Sequence, residues 1–213
     1  MIDTNKLKAE QLKLAKKVII SDKVKNVKLI GGTEQAFSNN NVLSAIVVCD
    51  AKGYSVLEEK NAIVEAKIPY ISGYRFYREG PSIMEAFGKL EQKPDVLIIN
   101  GNGILHPRRI GIASHIGILL DIPTIGVSKK LMIGEIKDNT IYVEKEARGY
   151  QIITKEHAKP IFISPGHMVS LKSSFEIIKS CIKYPHKLPE PLHLAHKFAS
   201  NAMDNLAKGK VTE

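Results

Sequence analysis

The sequence predicts one α/β domain with a mixed central sheet: an antiparallel meander, then parallel strands, with helices flanking both. Two observations predict it. Three β-rich segments follow one another across short polar turns in the N-terminal third. Further on, the continuous apolar run Val96-Leu97-Ile98-Ile99 has the character of a strand buried on both faces, and a helix joins it to another short apolar strand. The 213 residues, 44% apolar and 25% charged, suffice for a single compact core, and no linker or repeat divides them. One domain over 1–213 is expected.

Taken in order, residues 5–19 read as an amphipathic helix with Asn5 as N-cap. Its apolar stripe is Leu7, Leu12, Leu14, Ala15, Val18 and Ile19. Strands are expected over 27–37, 42–49 and 54–66, parted by Ser38-Asn39-Asn40-Asn41 and Asp50-Ala51-Lys52-Gly53. A loop follows from Tyr70 to Pro81, because Gly80 and Pro81 interrupt a helix, and a helix is expected over 82–90. Strand 96–99, helix 110–120 and strand 124–127 make a βαβ unit. A second extended region spans 132–153, a short strand 161–163, and helices 171–182 and 192–206 close the chain around Pro185, Pro189 and Pro191.

Charge bears on partners rather than fold. Lysine and arginine number 31 against 22 acidic residues, a net charge of +9. Such an excess suits a polyanion, since each phosphate neutralised releases a counterion. It equally suits a soluble protein with many surface lysines. Cys49 and Cys181 are too few and too far apart for a metal knuckle, and are expected as reduced core thiols. No run approaches a membrane span, and Met1-Ile2-Asp3-Thr4-Asn5-Lys6 lacks a signal-peptide layout, so a cytoplasmic location is expected. The surface gives no sign of an obligate dimer, and a monomer is expected.

Three side chains carry possible chemistry. Glu79, in Arg78-Glu79-Gly80-Pro81, is a metal-ligand candidate or an acid that favours the following helix through its dipole. His167 ends Ser164-Pro165-Gly166-His167, which reads as an exposed loop end after a strand. An imidazole there could hold an attacking water, or it is structural. Lys129 lies just past a buried strand, facing a phosphate or simply solvated. His106 and His115 read as packing or hydrogen-bonding groups near a site. His157, His186, His193 and His196 read as surface or helix-face residues. Arg108 and Arg109 could touch phosphates or cap a helix.

With Pro69-Tyr70-Ile71-Ser72-Gly73 and the segment 122–129, these motifs stand in an order that resembles endonuclease V, a metal-dependent nuclease acting on deaminated bases. The resemblance runs from about Lys28 to Leu194-Ala195-His196. It implies a ribonuclease-H-like fold, in which the first and fourth strands lie side by side and carry catalytic carboxylates. It implies Mg²⁺, with Mn²⁺ as the alternative, held by Glu34, Asn100 and Glu79. Glu34, in Gly32-Thr33-Glu34, stands where the family has its first aspartate. Asn100, in Asn100-Gly101-Asn102-Gly103, stands where it has its second, so one negative charge is lost. His167 would position water and Lys129 would steady the phosphate. Tyr70 would be the wedge left in the stack, with Ser72 where the family has proline. Gly73, Gly101, Gly103 and Gly126 would line a hypoxanthine pocket, although turn chemistry explains glycines as readily.

The implied activity is hydrolysis of a phosphodiester 3′ to inosine in DNA or RNA, in repair. The other reading is a binding module that recognises deaminated or distorted nucleic acid without a competent metal. A small-molecule enzyme finds no support in the motifs.

Overall fold

A computed structural model describes residues 2–208. α1 (Thr4–Ala15) is capped by Asp3, whose carboxylate accepts from the Asn5 and Lys6 amides at 3.0 and 3.1 Å. Asn5 is therefore inside the helix. The helix also stops at Ala15, short of the expected Val18 and Ile19. Its contacts are polar. Tyr77 Oη donates to the Leu7 carbonyl at 3.1 Å, and the one buried side chain of α1 is Gln11, not a leucine.

The meander forms as expected, with β1 (Leu29–Ser38), β2 (Asn41–Asp50) and β3 (Val56–Glu65) paired antiparallel. Asp50 sets the second turn by accepting from the Lys52, Gly53 and Ser55 amides. β4 (Val96–Asn100) then lies parallel to β1, with Ile30 opposite Val96 and Thr33 opposite Ile99. β5 (Thr124–Ser128) lies parallel to β4. The extended stretch after it resolves into β6 (Glu135–Lys137), β7 (Thr140–Val143) and β8 (Glu146–Ile152). β9 (Ile161–His167) runs antiparallel to β5 and outlasts its expected three residues, with Pro165 accommodated inside it. One nine-stranded sheet results, in the order β3-β2-β1-β4-β5-β9-β8-β7-β6.

Two-residue alternation divides β4 between two cores. Leu97 and Ile99 pack with Ile83, Ala86 and Phe87 of α2 (Arg75–Gly88) and with Ile112, Ala113 and Ile116 of α3 (Ile112–Leu120). Val96 and Ile98 face the other side. There Ile178 of α4 (Leu171–Ser180) and Leu192 and Ala195 of α5 (Glu190–Ala207) meet the buried free thiols Cys49 and Cys181. α5 approaches β1 at van der Waals distance because Gly32 has no side chain: a Cβ there would stand 2.1 Å from the Pro191 carbonyl oxygen. That contact seats the start of α5 two residues from Glu34. No helix among the described residues is long and apolar enough to cross a membrane.

α2 begins seven residues before the expected helix and contains Pro81. The breaker is tolerated because the first turns are held from outside. A Cβ on Gly80 would meet the Phe76 ring at 2.4 Å, so glycine admits the ring, and Phe76 in turn stacks on His115 with centroids 3.5 Å apart.

His115 is buried, both ring nitrogens lack hydrogen-bond partners among the described residues, and Glu10 reaches only to 4.0 Å. Burial, helped by the nearby His106, pushes it down from 6.5 to about 3. The unfolded chain then takes up the proton first. Stability from this group is therefore complete above pH 6.5 and falls as pH drops from there toward about 3. Between pH 7 and 5 the wild-type thermal midpoint should fall further than that of His115→Phe, by the equivalent of about 1–2 kcal/mol. Equal slopes in thermal melts would contradict this assignment.

Candidate functional site

The parallel register of β1 and β4 brings Glu34 beside Asn100 at the carboxyl end of the sheet. The Asn100 amide donates from Nδ2 to Glu34 Oε1 at 2.6 Å. Glu34 is buried, and its second oxygen, Oε2, has no partner among the described residues. Burial pushes the Glu34 carboxyl up. The Asn100 hydrogen bond and the charges of Lys129, His196 and Arg75 oppose that rise.

Glu79 enters from the second turn of α2, not from a loop, and is 1% exposed. Arg75, one turn earlier, grips both of its oxygens. Nε donates to Oε1 at 2.9 Å and Nη2 to Oε2 at 2.5 Å, the i,i+4 fork that guanidinium and carboxylate planes favour. The Glu79 carboxylate also raises the Arg75 pKa against the opposing cost of burial. The third guanidinium nitrogen, Nη1, lies 3.3 Å from where a Cβ on Gly101 would stand, beside the Asn100-Gly101 turn. The site thus holds two carboxylates and supplies both with donors from the chain itself.

An open cleft of about 430 Å³ lies against the carboxylates' partners Arg75 and Asn100. Tyr70, Ser72, Arg75, Asn100, Asn102, Ser128, Lys129 and Lys130 are among its walls. Tyr70 is 61% exposed there, and Lys129 and Lys130 are exposed. Next to it is a small pocket of about 20 Å³ whose walls include Gln11, Gly73, Arg75, Asn102, His106 and Met132. That volume holds about one water and no base. Gly73, at φ +81°, belongs to its wall, and the Gly73 carbonyl meets Gln11 Nε2, His106 Nε2 and Arg108 Nη2 at 3.1, 3.1 and 2.7 Å. Gly101, Gly103 and Gly126 are not in this wall but buried behind it. A Cβ on Gly126 would strike the Gly103 amide nitrogen at 2.4 Å and the Gly101 oxygen at 2.5 Å, so these glycines permit backbone crossings.

His167 is a correction. It does not end an exposed loop but closes β9, 4% exposed, and pairs in register with Thr124, the first residue of β5. Because Asn100 pairs with Val127, three residues along β5, His167 lies toward the opposite end of the sheet from the carboxylates. Its Nδ1 accepts from the Ile19 amide at 3.2 Å, which ties down the segment after α1. The histidine whose charge acts on Glu34 is His196, exposed on α5. The sequence signal for it was the family-like segment Leu194-Ala195-His196, and the Gly32–Pro191 approach brings that segment to the site. Arg75 was legible in principle: it sits four residues before Glu79, and only the misplaced start of α2 hid the pair.

Mg²⁺ wants near-octahedral oxygen ligands and leans on carboxylates. Glu79 is occupied by Arg75, Asn100 presents an N–H, and only Glu34 Oε2 remains open. Among the described residues no three His, Cys, Asp or Glu side chains form a metal-holding group. The arrangement does not fit Mg²⁺.

A meander leading into parallel strands, with polar side chains gathered at the ends of the first and fourth, is the ribonuclease-H-like fold, and a basic cleft over that edge belongs to nucleases of this class. The endonuclease V family model matches residues 12–197, and the chain belongs to that family, whose members are nucleases that hydrolyse phosphodiesters and are generally metal-dependent. It is 40% identical over 210 residues to an endonuclease V of Dictyoglomus thermophilum, covering 94% of this chain and 91% of that protein. The endonuclease V of Streptomyces avermitilis superposes with a TM-score of 0.89 at 27% identity, covering 97% and 96% of the two chains. The endonuclease V of Ciona intestinalis, in complex with a 24mer DNA containing an inosine followed by a ribo-adenosine, superposes with a TM-score of 0.86 at 26% identity over 95% and 98%.

Replacing Asn100 with aspartate would remove a donor and set a second carboxylate against Glu34. In EDTA at neutral pH, Asn100→Asp should lower stability by about 1–3 kcal/mol, read as a lower thermal midpoint. An unchanged midpoint would show that the Asn100–Glu34 bond contributes nothing.

Proposed function

We propose that this chain binds DNA or RNA strands containing deaminated bases, inosine first among them, and that its cleavage is weak or absent. The observation that carries this is the cleft. An exposed ring, Tyr70, shares the cleft with Lys129 and Lys130, and the cleft shares Arg75, Asn102 and Met132 with a small pocket walled by Gly73 and His106. Reading a base inside a duplex requires taking it out of the stack, and an aromatic wedge with flanking cations supplies the two things that step needs. The relative crystallised with inosine-containing DNA supports the choice of base. The pocket is too small for a base as it stands, so entry requires its wall to move, and Arg75 and Met132 border both spaces.

Mg²⁺- or Mn²⁺-dependent hydrolysis 3′ to inosine is the second reading, carried by family membership. The donor geometry at Glu34 and Glu79 weighs against it. A monomer that surveys nucleic acid for deaminated bases would serve repair by marking them.

The test is a fluorescence titration of a labelled inosine-containing strand and its matched guanosine strand in EDTA, beside a cleavage assay with Mn²⁺. Preference for inosine is expected. Tyr70→Ala should weaken inosine binding by about 10-fold, within the range of one lost base stack. Lys129→Ala should weaken both strands alike and reduce the salt slope by about one. Equal affinity for the two strands would overturn the proposal. Cleavage that disappears in Glu79→Ala would establish the second reading.

A further inference from the structure

We propose that Arg75 is the resident cation of this site, occupying Glu79 so that the carboxylate is closed to a divalent ion while its positive charge faces the cleft. Four observations meet on this one side chain. It binds both oxygens of Glu79. Its charge acts on Glu34 as well as on Glu79. Its Nη1 end lies against the Asn100-Gly101 turn. It also borders both the open cleft and the small pocket.

The chemistry follows from what a metal and a guanidinium have in common. Either would neutralise a buried carboxylate and attract a phosphate oxygen. A guanidinium is permanently charged and makes two directed bonds to a carboxylate, so it satisfies Glu79 without an ion. A divalent ion would have to break that fork, leave the partly buried guanidinium without its partner, and turn the Asn100 amide around. Unlike a metal, Arg75 supplies no bound water to deprotonate. Together with Lys129 it leaves a site suited to holding a phosphate rather than hydrolysing one. The inference deepens the binding reading above and rests on it only for the phosphate. Metal exclusion concerns the protein alone and is measured without nucleic acid.

The probe for exclusion is Mn²⁺, followed by its electron paramagnetic resonance signal as it is titrated into the whole chain. Wild type should take up no Mn²⁺ at a saturable site in the low millimolar range. Arg75→Leu with Asn100→Asp should create one site per chain, binding at least about 10-fold tighter, as expected when two carboxylates are released to a hard cation. Glu79→Gln added to that pair should abolish the site again. Arg75→Lys, which keeps the charge, should still exclude the ion. Circular dichroism melts identify any variant that has not folded, and Arg75→Gln then replaces Arg75→Leu in the pair.

A saturable Mn²⁺ site in wild type that is lost in Glu79→Gln would overturn the proposal, as would a folded double variant that gains no site. If exclusion holds but no strand is bound, the binding reading fails and Arg75 as resident cation stands. If strand binding in wild type requires Mn²⁺, Arg75 is not the cation that meets the phosphate.

Discussion

Glu34 and Asn100 meet because β1 and β4 run parallel and in register, an arrangement forced by the apolar run of β4 and its two helical covers. A slip of one residue would turn Leu97 and Ile99 to the wrong core and separate the pair. The rest of the site is arranged around that juxtaposition. Gly32 brings α5 and His196 up to one side, α2 brings Glu79 with Arg75, and the strand after α3 delivers Lys129 to the cleft.

Buried carboxylates must be neutralised, hydrogen-bonded or protonated. Here the chain answers from within, with an amide for Glu34 and a guanidinium for Glu79. One oxygen, Glu34 Oε2, is left without a partner among the described residues, and burial pushes that carboxyl up. A single open oxygen suits a water or a passing donor better than an octahedral ion. The family's nucleic-acid architecture is thus kept in outline, while the electrostatic demand at its centre is met differently.

The fold was largely legible because its signals are physical and local. The polar turns bounded the meander, and the doubly buried run marked β4. The misreadings have equally local reasons. Gly80 and Pro81 masked the first two turns of α2, which tertiary packing on Phe76 and His115 secures. Pro165 made β9 look short, and so His167 looked like a loop residue when it lies in the sheet toward the wrong end. Glu34, Asn100, Glu79, Tyr70 and Lys129 could be named from motifs. Arg75 and His196 carried weaker signals: Arg75 stands one turn before Glu79 on a helix whose start was misplaced, and His196 stands in a family-like segment but reaches the site only through a helix–strand contact between distant segments.

The most direct measurement is a crystal structure of the whole chain grown in millimolar Mn²⁺, with an anomalous difference map at the manganese edge. The account predicts no peak among Glu34, Glu79 and Asn100, with the Arg75–Glu79 fork and the Asn100–Glu34 hydrogen bond both intact. A strong peak there, with Arg75 swung out of contact with Glu79, would contradict it.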